Sequence, residues 1–171
     1  MAPTGQPADA GLWSGGSKLS SYSTPIVVLD TNVWISGIFF RRGIPASILR
    51  AWRDRRFEIV VTSETLAELD HKLREKVVEF GADPALAEEW VTYVEAFARV
   101  VPATATASGI CRDPDDDKFL SAAVNGEASC IVSGDRDLQV LGEYQGVKVL
   151  SPREFAEQLG IVPPLPAPDE E

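Results

Sequence analysis

Ile26-Val27-Val28-Leu29-Asp30 is the stretch of this sequence that most constrains the fold. A short, wholly apolar run rich in β-branched residues is typical of a strand buried on both faces, as in a parallel sheet. A carboxylate directly after such a strand is costly to bury without a partner. Asp30 is therefore either an ordinary cap at the end of the strand or one member of a larger polar site.

Working outward from this strand, similar apolar runs alternate with helical patterns. Further strands are predicted near residues 57–61, 99–101, 130–132 and 147–150. Helix starts are predicted at Thr62 or Ser63, at Asp83-Pro84, at Asp113-Pro114 and at the capping box of residues 151–154. Alternating strands and helices predict an α/β domain with a central, mainly parallel sheet of about five strands.

Length and composition fit one globular domain with tails. The chain has 171 residues, of which 44% are hydrophobic and 25% charged. We expect a flexible N-terminal tail over residues 1–24, a folded unit over 25–162 and a Pro-rich acidic tail over 163–171. The two cysteines form no CxxC pair, and neither a membrane-spanning run nor a secretory leader is evident, so we expect a cytoplasmic protein.

The net charge restricts how this chain could bind nucleic acid. Asp and Glu number 26 against 16 Lys and Arg, which gives a formal charge of −10. A protein that holds nucleic acid by its overall charge should be basic. Any nucleic-acid role must therefore depend on a local basic patch or on metal ions that reverse the charge of an acidic site.

Acidic side chains are predicted to converge at one edge of the sheet. Asp30 and Asp135 each follow a strand, and the carboxyl ends of parallel strands share an edge where ligands commonly bind. Glu64 and Glu68 lie one turn apart on the helix after the second strand. Two carboxylates about 4 Å apart repel by roughly 4 kcal/mol at an effective dielectric of 20, so a cluster predicts a bound cation. Oxygen ligands favour Mg²⁺ or Mn²⁺, as one or two ions.

Simpler roles compete at several of these positions. Asp113 is a natural helix N-cap, and Asp115 and Asp116 would interact favourably with a helix N-terminus. Asp117 lies beyond the cap, beside residues that belong to a buried stripe. Asp137 could cap a helix or face solvent.

Four motifs, taken in order, resemble the PIN-domain nucleases. They are VLDTNVWISGIF at 28–39, TSETLAEL at 62–69, RDPDDDKFLSAA at 112–123 and IVSGDRDL at 131–138. The similarity covers residues 25–158 and is closest to the VapC-like toxin components of toxin–antitoxin pairs. The resemblance implies a PIN-like three-layer α/β/α domain.

The resemblance also implies a set of site residues. The four acids of the family fall on Asp30, Glu68, Asp117 and Asp135. Its supporting polar side chains fall on Thr31 or Asn32 and on Ser133. Asp113 or Asp116 could share or replace the role of Asp117, and Asp137 could add a fifth carboxylate.

The activity that the resemblance implies is hydrolysis of RNA phosphodiester bonds by a Mg²⁺- or Mn²⁺-dependent endoribonuclease. It further implies a small antitoxin protein as a partner and a homodimer. The alternative is a catalytically weak PIN-fold protein-interaction module. The presence of all four acids disfavours that alternative, because a scaffold has no reason to tolerate their repulsion.

One basic segment could guide an RNA backbone toward the acids. Its arginines include Arg41, Arg42, Arg50 and Arg53. The competing interpretation is a solvated helix face. The single histidine, His71, is predicted to lie on a helix surface.

Overall fold

The computed structural model describes residues 24–103 and 108–161. The tails predicted over 1–24 and 163–171 lie outside the described residues, apart from Thr24. The strands are β1 (Ile26–Leu29), β2 (Glu58–Val61), β3 (Arg99–Val100), β4 (Cys130–Val132), β5 (Glu143–Tyr144) and β6 (Val147–Leu150).

Seven α-helices and one 3₁₀ turn connect these strands in the described part of the chain. The α-helices are α1 (Thr31–Phe39), α2 (Ile44–Arg53), α3 (Ser63–Phe80), α4 (Ala85–Phe97), α5 (Asp117–Asn125), α6 (Arg136–Leu141) and α7 (Pro152–Leu159). The 3₁₀ turn spans Pro114–Asp116 and leads directly into α5.

The strands form one sheet with β1 near its centre. The strand order is β3-β2-β1-β4-β6-β5. All neighbours are parallel except β5 and β6, which form a short antiparallel pair. Val27, Val28 and Leu29 of β1 lie opposite Cys130, Ile131 and Val132 of β4, so both strands end at the same level.

Helices cover both faces of the sheet, because successive side chains of a strand point to opposite sides. Val27 and Leu29 join the core formed with α1, α2, α3, α4 and α7. Val28 joins a second core, formed with α5 and α6. The predicted α/β/α layering and mainly parallel sheet are therefore confirmed.

Several elements differ from the sequence prediction. The sheet has six strands rather than about five, because β5 adds a two-residue antiparallel edge. The helices α1 and α6 were not predicted, and a helix at the position of α2 was considered only as the solvated face of the arginine segment. The helix expected from Asp113 begins instead as a 3₁₀ turn, and α5 starts only at Asp117. Thr62 and Ser151 cap α3 and α7 with reciprocal capping boxes, and the Ser151 box was predicted.

Close packing holds α5 against the sheet. At the end of this helix, a Cβ on Gly126 would lie 2.5 Å from Cγ1 of Val60 in β2, so only glycine fits there. This contact fixes the helix that carries the acids at its other end. None of the helices within the described residues combines the length and the apolar character that crossing a membrane requires.

Candidate active site

The ends of β1 and β4 bring Asp30 and Ser133 together. The backbone N–H of Asp30 donates to the carbonyl of Val132 at 3.0 Å. The Ser133 hydroxyl donates to Oδ2 of Asp30 at 2.7 Å, and both residues are buried. Asp30 also caps α1 by accepting from the backbone N–H of Asn32 at 3.3 Å. Asp30 thus caps α1 and accepts from the Ser133 hydroxyl at the same time.

Asp135 reaches the same edge through the loop after β4. Its backbone N–H donates to the Ser133 hydroxyl at 3.0 Å, so this hydroxyl links the two acid-bearing segments. Asp135 caps α6 by accepting from the backbone N–H of Asp137 at 2.8 Å. Asp137 itself forms an exposed ion pair with Arg112 at 3.3 Å.

The run from Asp113 to Asp117 separates into different environments. Asp113 is exposed and caps the 3₁₀ turn, accepting from the backbone N–H of Asp115 at 3.0 Å. Asp116 is only 8% exposed, and its Oδ2 is buried with no hydrogen-bond partner among the described residues. Its neighbours are Asp135 and Asp30, whose charges act on it directly.

The side chain of Asp117 binds the loop that precedes the 3₁₀ turn. Its two carboxylate oxygens accept from the backbone N–H groups of Gly109 and Cys111, each at 2.8 Å. Burial raises the pKa of Asp117, but these hydrogen bonds outweigh it and hold the pKa below its ordinary value. The structure thus places Asp116, rather than Asp117, beside Asp30 and Asp135. Asp117 as third acid stays a prediction without support from this geometry.

Glu68, on α3, lies beside the start of α1, and both of its carboxylate oxygens have partners. Thr31, the first residue of α1, donates its hydroxyl to Oε2 of Glu68 at 2.5 Å. Lys118, in the first turn of α5, forms an ion pair with Oε1 of the same carboxylate. Burial alone would lower the pKa of Lys118, but the hydrogen bond and charge of Glu68 raise it, so the ammonium stays charged.

Burial and the repulsion between carboxylates raise the pKa of two of these acids, Asp30 and Asp116. Burial is the largest cause that raises the pKa of Asp30, and the charges of Asp135 and Glu68 add to it against the hydrogen bond from Ser133. The pKa of Asp116 rises to about 7, through burial first and then the charges of Asp135, Asp30 and Asp113. Burial and the charges of neighbouring carboxylates thus act in the same direction on Asp30 and on Asp116.

The donor chemistry of these acids fits a hard divalent ion. All three residues offer only oxygen ligands. The buried Oδ2 of Asp116 accepts no hydrogen bond within the described residues, so a bound cation would satisfy it. As arranged, no three Asp, Glu, His or Cys side chains in residues 24–103 and 108–161 form a group ready to hold a metal ion. Side-chain movement is therefore needed to bring the three acids onto one ion.

The predicted RNA-guiding arginines lie away from the acids. Arg41 and Arg42 follow α1, which begins at the acids and is about 13 Å long at 1.5 Å per residue. Arg50 donates to the carbonyl of Arg41 and to the Ser47 hydroxyl. Arg53 lies over the ring of Trp90, with the guanidinium 4.8 Å from its centroid.

Arg53 is also placed at the opposite edge of the sheet. It lines a cleft with Thr24, which precedes β1, and with Glu58, which begins β2. The acids follow the carboxyl ends of the strands, whereas this cleft lies at the amino ends. An RNA-binding role for these arginines stays a prediction.

The sequence prediction missed Lys118. The only signal was its position directly after three consecutive aspartates, which does not reveal a partner on another helix. His71 lies on the exposed surface of α3 beside Glu75, as expected.

Fold and site together define an α/β protein whose acids gather at the carboxyl edge of a parallel sheet. A family model described as a PIN domain matches residues 26–137. An uncharacterized protein of Methanocaldococcus jannaschii is 29% identical over 141 residues, which cover 77% of this chain and 90% of that protein. The fold is similar to a chain in the crystal structure of VapBC2 from Rickettsia felis bound to a DNA fragment from their promoter. That match has a TM-score of 0.50 and 14% identity, and covers 74% of this chain and 98% of the other.

The chain therefore belongs to the PIN-domain family, a family of nucleases. This confirms the family that the four sequence motifs indicated.

Proposed function

We propose that this protein is a divalent-metal-dependent endoribonuclease that acts as the toxin of a toxin–antitoxin pair. The observation that carries the proposal is the group of Asp30, Asp116 and Asp135. In this group the buried Oδ2 of Asp116 accepts no hydrogen bond from the part of the chain that the structure describes, and the pKa values of Asp30 and Asp116 are raised. Such unfavourable packing of acids persists in a fold when a cation relieves it.

The residues that would hold Mg²⁺ or Mn²⁺ are Asp30, Asp116 and Asp135, with Glu68 nearby on α3. Such an ion supplies a more acidic bound water and neutralises charge on a phosphodiester. Ser133 holds Asp30 by donating to one of its oxygens, and Thr31 holds Glu68 in the same way. In-line attack of water on the phosphorus would leave a 5′-phosphate and a 3′-hydroxyl.

The toxin role is supported by the fold neighbour and by an exposed aromatic surface. The Rickettsia felis structure is a VapBC2 assembly, so a protein of this fold is paired there with a partner. Here Phe40 and Phe80, which are 56% and 45% exposed, pack together at the far ends of α1 and α3 with ring centroids 5.9 Å apart. Adjacent exposed aromatic rings are typical of a protein interface, and we assign this surface to a small antitoxin or to a second copy in a homodimer.

Cleavage of a labelled single-stranded RNA tests the enzymatic proposal. Wild type should cut in the presence of Mn²⁺ or Mg²⁺, EDTA should stop the reaction, and Asp30→Asn should be inactive. Asp115→Asn is the matched control, because this carboxylate is exposed and belongs to the same acidic region. A labelled single-stranded DNA of the same sequence checks the choice of RNA.

Equal cleavage by wild type and Asp30→Asn would refute the assignment. No cleavage by wild type, together with no Mn²⁺ binding by calorimetry, would favour the interaction module instead.

A further inference from the structure

The ion pair between Lys118 and Glu68 differs from pairs on the outer helix surface. Lys118 and Glu68 side chains are 14% and 25% exposed, whereas Arg74 and Asp70 on α3 are 58% and 38% exposed. Glu68 also accepts from Thr31 through its second oxygen. Both oxygens of this carboxylate are thus occupied, one of them by a full positive charge.

The pair lies at the border of the acidic group. Glu68 is close enough to Asp30 for its charge to act on that carboxylate. Asp116 ends the 3₁₀ turn and Lys118 lies in the first turn of α5, so the turn and the helix that follows it bring a carboxylate and an ammonium close together in the chain. The ammonium therefore neutralises the carboxylate that α3 contributes. Within residues 24–103 and 108–161, Asp30, Asp116 and Asp135 form no ion pair with a lysine or an arginine.

We propose that Lys118 is the built-in second cation of this site, so that the protein binds one divalent ion rather than two. This inference rests on the proposed function. The ion is held by Asp30, Asp116 and Asp135, while the ammonium takes the place at Glu68 that a second ion would need. An ammonium and a divalent ion bound to the same carboxylate would repel each other, because both are positively charged. Lys118 is a positioning residue, since it acts through Glu68.

The number of bound ions is the decisive readout, because a merely structural lysine would not change it. Isothermal titration of the metal-free protein with Mn²⁺ should give one ion per chain for wild type. Lys118→Met removes the charge at similar length and should give two ions. Lys118→Arg keeps the charge and should give one. Lys72→Met is the matched control, because Lys72 forms an exposed pair with Glu75, and it should also give one.

Two ions in wild type, or one ion in a folded Lys118→Met, would overturn the inference. If Lys118→Met does not fold, the double variant Lys118→Met with Glu68→Gln removes both charges and should still bind one ion. Loss of binding by the double variant would show that Glu68 is an essential ligand, and would overturn the inference as well.

Asp30→Asn separates this inference from the proposed function. It should abolish Mn²⁺ binding in either case, so unchanged binding by Asp30→Asn would refute the metal site itself. Loss of binding by Asp30→Asn together with two ions in wild type would refute only the role of Lys118.

Discussion

Asp116 and Asp117 are neighbours in the chain, but the fold gives them opposite environments. Asp117 accepts two backbone hydrogen bonds from the loop at Gly109 and Cys111, which lower its pKa. Asp116 faces other carboxylates, its Oδ2 has no partner within the described residues, and its pKa is raised. A satisfied carboxylate stabilises the fold, whereas an unsatisfied one is poised to bind a cation. The position of an acid in a motif therefore does not by itself identify it as a ligand.

The largest expected effect concerns cleavage. Asp116→Asn should lower the rate of RNA cleavage at least about 100-fold, because it removes a metal ligand that supports several kcal/mol of charge stabilisation. Asp117→Asn should lower it far less when assayed at a temperature where the variant is folded. The measurement is single-turnover cleavage with saturating Mn²⁺, with Asp115→Asn as the control. The reverse ranking of the two variants would return the third acid to Asp117.

Stability should show the opposite ranking. Asp117→Asn should destabilise the metal-free protein by about 2 kcal/mol, because it weakens hydrogen bonds to a charged group. That corresponds to a melting temperature about 4–8 °C lower for a chain of this size. Asp116→Asn should raise the melting temperature, since it removes a repelling charge. Calorimetric melting in EDTA measures both, and a stabilised Asp117→Asn would contradict the anchoring role of this side chain.

The pH dependence of stability should separate Asp116 from its neighbour. Its pKa is about 7 in the folded chain against 3.8 for an ordinary aspartate, so protonation favours the folded state. This contribution is complete below the unfolded value and is lost as the pH rises through 7. The stability advantage of Asp116→Asn over wild type should therefore grow from pH 5 to pH 8 in EDTA. A constant difference across this range would show that neither burial nor the charges of Asp135, Asp30 and Asp113 raise the pKa of Asp116.

The smallest expected effect lies at the opposite edge of the sheet. Arg53→Ala should cost about 0.5–1 kcal/mol of stability, because it removes the stacking of the guanidinium on Trp90. It should leave RNA cleavage nearly unchanged, since Arg53 lies at the amino ends of the strands. Cleavage and melting measurements on one preparation test both. A large loss of RNA affinity would restore the guiding role predicted for the arginine segment.

The sequence was sufficient to predict the position of an acid that directly follows a strand. Asp30 and Asp135 could be placed together because each follows an apolar strand of a parallel sheet. Ser133 was named only through the resemblance to the PIN-domain nucleases. The third acid was predicted at Asp117, with Asp113 or Asp116 as alternatives. The sequence did not show that the chain turns as a 3₁₀ segment from Pro114 to Asp116 before α5 begins. That turn changes which side chain faces the sheet edge, and its geometry depends on the loop that Asp117 anchors. Lys118 was missed for a related reason, since its partner lies on α3, 50 residues away.

The central claim is that Asp30, Asp116 and Asp135 form the metal site. The most direct test is the anomalous scattering of Mn²⁺ in crystals of the wild-type protein. We predict one peak in contact with carboxylate oxygens of these three residues, with Lys118 still paired to Glu68. A peak bound to Asp117, or the absence of any peak at Asp30, would contradict the claim.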